Sequence, residues 1–100
     1  MEYNKLVRDN IPKLITERGK KCTYHIADDR EYNLKLREKL VEEAQEFLDN
    51  PSEEEFADVL EVLDAIKGHM RLSGHKMGMK AYVNGRFDKR IILEKVLENE

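Results

Sequence analysis

The chain has 100 residues, of which 40% are hydrophobic and 39% charged, with 21 acidic against 18 basic side chains and a formal net charge of −3. This length accommodates one domain, residues 1–100, and the mild negative balance argues against non-specific nucleic-acid binding, which needs a dominant cationic field. A single cysteine, Cys22, excludes an intramolecular disulfide and a multi-cysteine zinc site. The opening Met1-Glu2-Tyr3-Asn4-Lys5 lacks the apolar run of a signal peptide, and no stretch approaches the ~20 apolar residues of a membrane span, so a soluble cytoplasmic protein is expected.

Asn10-Ile11-Pro12 predicts the start of a short helix, with Asn10 as cap and the proline in the first turn, where its missing N–H costs nothing. Ile11, Leu14 and Ile15 form its apolar stripe, and Gly19 ends it. Alternation of Cys22, Tyr24 and Ile26 with polar or small neighbours predicts a short strand over residues 21–27. Asp28-Asp29 then caps a long helix over 30–49, in which Leu36, Leu40, Ala44 and Phe47 repeat at helical spacing. Asn50-Pro51-Ser52 breaks it. A second long helix over 51–70 carries Val59, Val62, Leu63, Ile66 and Met70 on one side. So short a break implies an antiparallel hairpin of helices. His75 to Val83 fits a third, shorter helix, and residues 87–93 fit either a short strand or a helix. The expected class is therefore mainly α.

The acidic residues of the two long helices are placed unevenly. At ~100° per residue, Glu43 projects at the edge of the apolar wedge of the first helix, and Glu46 lies about 60° beyond it. On the second helix Glu55 falls inside the apolar arc, and Asp58 sits about 60° to one side. If the helices pack face to face, Glu43, Glu46, Glu55 and Asp58 converge near their interface. Like charges brought together out of water repel, so protons, lysines or divalent cations must neutralise them. Oxygen donors without histidine or cysteine suit Mg²⁺, with Mn²⁺ as a second choice, rather than zinc. The competing reading is a solvated helix face. Glu55 also fits a capping box with Ser52, whereas a cap at Asn50 with Pro51 at the first helical position makes Glu53 the box residue.

Glu42-Glu43-Ala44-Gln45-Glu46 followed by Glu55-Phe56-Ala57-Asp58 resembles the E-E-x-x-E … E-x-x-D signature of the all-α nucleoside triphosphate pyrophosphohydrolases. That group includes the MazG-like proteins, the dimeric dUTPases and phosphoribosyl-ATP pyrophosphohydrolase. The opening Tyr3-Asn4-Lys5-Leu6-Val7-Arg8-Asp9-Asn10-Ile11-Pro12 is similar to the start of a small MazG-like, phosphoribosyl-ATP pyrophosphohydrolase-like branch. Lys80-Ala81 and Gly85-Arg86-Phe87-Asp88-Lys89-Arg90-Ile91-Ile92-Leu93 resemble its closing segment, with Arg86 where a second glycine is usual.

The resemblance implies Mg²⁺-dependent cleavage of a nucleoside triphosphate, or a related nucleotide such as phosphoribosyl-ATP, to a monophosphate and pyrophosphate. It implies Glu43, Glu46, Glu55 and Asp58 as metal ligands, Glu42 as an auxiliary acid, and Glu42, Glu43 and Glu46 as catalytic acids. It also implies a homodimer or homotetramer in which helices of two subunits complete a four-helix-type bundle. Lys5, Arg8, Lys80, Arg86, Lys89 and Arg90 lie in the segments it marks and are candidates for substrate phosphates. Lys39, one turn before Glu43, either pairs with it or reaches a phosphate. The alternative function is a non-catalytic nucleotide-binding or helical interaction module that retains the fold. His25, His69 and His75 share no ligand spacing, and packing is expected for His69. Cys22 reads as a small apolar residue, Phe47, Phe56 and Phe87 as core, and Tyr24, Tyr32 or Tyr82 as candidates to stack on a base.

Overall fold

Four helices account for all the regular structure in the computed structural model, which describes residues 3–98: α1 (Ile11–Glu17), α2 (Asp29–Asp49), α3 (Glu53–Met70) and α4 (His75–Asn84). Each boundary has a local cause. Pro12 opens α1 as expected, but Asn10 makes no side-chain capping bond. Gly19, at φ +78°, closes α1, because a left-handed residue there lets Lys20 N–H reach back to the Ile15 carbonyl at 3.2 Å. Asp28 caps α2 by accepting from the Glu31 backbone N–H at 2.9 Å, and Asp29 and Glu31 add negative charge to the first turn.

The hairpin turn resolves the two capping alternatives. Ser52 Oγ accepts from the Glu55 N–H at 3.2 Å and is the cap of α3, with Glu53, Glu54 and Glu55 in the first turn. Pro51 therefore precedes the helix. At the far end, Lys67 and His69 complement the negative pole of α3. Arg71 takes the left-handed conformation at φ 55°, and Leu72 N–H donates to the Lys67 carbonyl at 2.9 Å. This is the cap geometry that glycine usually serves.

α2 and α3 are the only two helices that pack on one another among the described residues. Leu36, Val62 and Ile66 form the buried centre of that seam, with Leu6, Tyr32, Leu40 and Ala65 packed around it. Tyr32 and His69 meet edge to face with ring centroids 4.8 Å apart, which fixes His69 as a packing residue. Phe47 and Phe56 pair at 6.2 Å across the turn end of the hairpin but keep substantial exposure, and Phe87 is 96% exposed. Expectation placed all three phenylalanines in the core. A two-helix seam has no second layer to cover them.

Both expected strands fail to form: residues 21–27 and 87–93 carry no regular structure. A strand needs an edge to pair with, and no other extended segment adopts a ladder among the described residues. Cys22 is exposed rather than packed. The chain measures 68 × 30 × 26 Å with a radius of gyration of 18.9 Å, where a compact chain of this length has about 13 Å. The excess reflects α4 and the segment after it, which leave Tyr82, Val83, Ile91, Ile92 and Leu93 exposed.

Candidate metal centre

Axial position explains how the hairpin gathers its acids. With a rise of ~1.5 Å per residue, Glu43 lies about 9 Å before the end of α2, and Asp58 about 7.5 Å after the start of α3. The two antiparallel helices therefore present them at nearly the same level, and Glu55 projects between them from the first turn of α3. Glu43, Glu55 and Asp58 each offer a carboxylate oxygen within 4.8 Å of the others.

Burial makes this cluster different from a solvated acidic face. Glu43 is only 5% exposed and is the one buried charged residue of the described chain. Its Oε1 accepts from Lys39 Nζ at 3.1 Å, but its Oε2 is buried without a partner. Glu55 Oε2 is likewise buried and unpartnered. Two orphaned carboxylate oxygens at one point are costly, since each unsatisfied buried polar atom forfeits its hydration. Burial pushes the Glu43 carboxyl above its ordinary range; Lys39 opposes this, while the negative charges of Glu46 and Asp58 push the same way. A hard dication with oxygen ligands supplies what the orphaned atoms lack. Three carboxylates so placed could hold a metal ion, and an ion that keeps several waters tolerates oxygens spaced this widely.

Glu46 stands apart from the other three. It is exposed and lies outside the cluster, although its charge is felt by both Glu43 and Lys5. Glu42 turns toward the N-terminal segment, where its carboxylate meets Lys5 Nζ at 3.1 Å and Lys39 Nζ at 3.5 Å. Partial burial works to raise the Glu42 carboxyl, but Lys5 and Lys39 outweigh it and hold it below its ordinary value.

The candidate phosphate cations divide sharply. Lys5, Arg8 and Lys39 surround the cluster, with Arg8 Nη2 donating to Asp58 Oδ1 at 2.8 Å and Arg8 Nη1 3.8 Å from Glu61. Lys80, Arg86, Lys89 and Arg90 lie on α4 or beyond it, exposed, and no helix of the same chain packs against α4. A single subunit does not bring them to the carboxylates. Sequence reasoning gave no role to Lys35 and Tyr3, which join Lys5, Lys39, Glu38 and Glu42 in an open cleft of about 380 Å³. Lys35 sits one turn before Lys39 on the same face, so helical spacing was a usable signal; Tyr3 begins the opening segment quoted above but was assigned no role.

No helix of the described chain is long and apolar enough to cross a membrane. Comparison with protein-family models, with curated proteins and with solved structures gives no match, so the likeness to the all-α pyrophosphohydrolases rests on the residues quoted above.

Proposed function

We propose that this chain is a Mg²⁺-dependent nucleotide pyrophosphohydrolase of the MazG-like kind, which cleaves a nucleoside triphosphate or related nucleotide to monophosphate and pyrophosphate. The observation that carries the proposal is the pair of buried, unpartnered oxygens on Glu43 and Glu55 beside Asp58. An interaction module has no use for them.

In this reading Glu43, Glu55 and Asp58 would hold the dication, which when bound would supply Lewis-acid stabilisation of the charge that develops on the phosphates. Water attacks the α-phosphorus, forming a P–O bond as the bridging bond to the β-phosphorus breaks and the electron pair leaves on pyrophosphate. Glu46, exposed and outside every ion pair of the described residues, accepts the proton of the attacking water. Glu42 is a poor base because two lysines hold it ionised, and it serves to position Lys5 and Lys39. Those two ammonium groups face the anionic substrate from the neighbouring cleft.

A homo-oligomer belongs to the same proposal. A two-helix seam with three buried apolar residues is a small core, and the exposed apolar side chains of α4 and the following segment suit burial against a second copy. Oligomerisation also offers a route for Lys80, Arg86, Lys89 and Arg90 to approach a site on another subunit. The test is pyrophosphate release across a nucleotide panel, with and without Mg²⁺, for the wild type and for Glu55→Gln and Asp58→Asn. Magnesium-dependent release that both substitutions abolish is the expected result. Magnesium-dependent nucleotide binding without turnover across the whole panel would favour the non-catalytic alternative.

A further inference from the structure

The cation that neutralises Asp58 comes from outside the hairpin. Lys39 belongs to α2, four residues before Glu43, and stays beside it whatever the rest of the chain does. Arg8 reaches Asp58 across 50 residues of sequence, from the segment that precedes α1. That segment is anchored without it: Leu6 packs against the hairpin core, and Lys5 is tied to Glu42. The Arg8 side chain is 56% exposed, and a second carboxylate, Glu61, lies 3.8 Å from its Nη1. Arg8 can therefore leave Asp58 for Glu61 by rotating its own side chain, with residues 5 and 6 in place.

Charge repulsion gives a reason for such a move. The three clustered carboxylates face Lys39 and Arg8, with Glu46 and Glu61 adding negative charge nearby. A dication at Asp58 carries the same sign of charge as the Arg8 guanidinium 2.8 Å from that carboxylate, so the two repel and compete for it. We propose that Arg8 is an exchangeable counter-ion of the metal centre, holding Asp58 while the dication is absent and yielding the Asp58 carboxylate to it. The inference rests on the metal-binding reading above and adds a competition that lies within the protein itself. Because coupling is reciprocal, Arg8 weakens dication binding by the factor by which the dication weakens the Arg8–Asp58 bond.

The test is an Mn²⁺ titration of the full chain followed by electron paramagnetic resonance, without nucleotide. An exposed ion pair of this kind corresponds to an effect of about two- to fivefold on an equilibrium. Arg8→Gln is expected to bind Mn²⁺ more tightly than wild type by that factor. Lys5→Gln, which removes the same charge from a carboxylate outside the cluster, is expected to change affinity less. Unchanged or weaker binding by Arg8→Gln, or equal tightening in both variants, overturns the exchange. Glu55→Gln separates the two levels of argument, since it must weaken Mn²⁺ binding if the centre is real. Failure of wild type to bind Mn²⁺ sinks the metal-binding reading and the exchange together. A Mg²⁺ titration of wild type, read from Arg8 side-chain NMR signals, does not depend on any variant folding. Release of the guanidinium as Mg²⁺ binds supports the exchange, and a bond that persists at saturation refutes it.

Discussion

Glu43→Gln is expected to stabilise the metal-free protein. In wild type, Glu43 is 5% exposed, keeps one oxygen on Lys39 and leaves the other buried without a partner. An unsatisfied buried polar atom costs about 1–3 kcal/mol. Glutamine removes the charge and provides an N–H₂ that faces the carboxylates of Glu55 and Asp58. It weakens the contact with Lys39, a largely buried pair at 18% and 7% side-chain exposure, but the amide oxygen can still accept from Nζ and Lys39 retains Glu42 at 3.5 Å. The balance favours the variant by about 1 kcal/mol, a rise in melting temperature of about 4–8 °C for a chain of this size. Thermal melts by circular dichroism in a chelator, at fixed protein concentration, measure it. Magnesium must then invert the order: a saturating ligand at about 100 times its dissociation constant adds ~2.7 kcal/mol to wild type, and far less to a variant lacking a ligand oxygen. A variant less stable than wild type in chelator, or one with the same magnesium gain, would refute the claim that Glu43 is strained for the sake of a cation.

The same pair should show an inverse response to acid. Because the folded-state value of Glu43 lies above its ordinary 4.5, its contribution to stability is full below that value and lost as pH rises through the raised one. The advantage of Glu43→Gln in chelator is therefore expected to vanish as pH falls toward 4.5, measured by urea denaturation at stepped pH. Glu42 has the opposite sign: its folded-state value is depressed, so its contribution is present above 4.5 and fades in more acidic solution, which Glu42→Gln melts will report. Ser52→Ala removes the cap of α3 and is expected to cost about 1 kcal/mol in denaturant midpoint analysis, together with weaker magnesium stabilisation, since Ser52 orders the turn that carries Glu55. Ile92→Asp, at an 83% exposed apolar position, is expected to shift the sedimenting species toward the 11.8 kDa monomer; unchanged mass refutes a role for this segment in assembly.

Much of this architecture was legible because its causes are local. Apolar spacing set the long helices to within two residues at each end, and Asp28 and the break at residues 50–52 set their limits. The convergence of Glu43, Glu55 and Asp58 followed from helical angle and from the length of that break. Glu46 shows where angular reasoning loosens: it is exposed and outside the cluster, although its charge reaches Glu43. The Arg8–Asp58 bond was invisible, since a pair 50 residues apart leaves no periodic trace. The strand expected at 21–27 had the right alternation but no edge to join, and alternation alone cannot supply one. Phe87 read as core and is exposed in the isolated chain, as are Ile91, Ile92 and Leu93 of the segment expected to be strand or helix.

The tight turn between α2 and α3 has a kinetic corollary. Every clustered donor is encoded within residues 43–58, so the centre needs only short-range contacts to assemble, the kind that form fastest in folding. The seam that buries Glu43 also needs Val62 and Ile66, which lie in the same hairpin, so core and centre form in one local event. Among the described partners of the three carboxylates, Arg8 is the one that must arrive from a distant part of the chain.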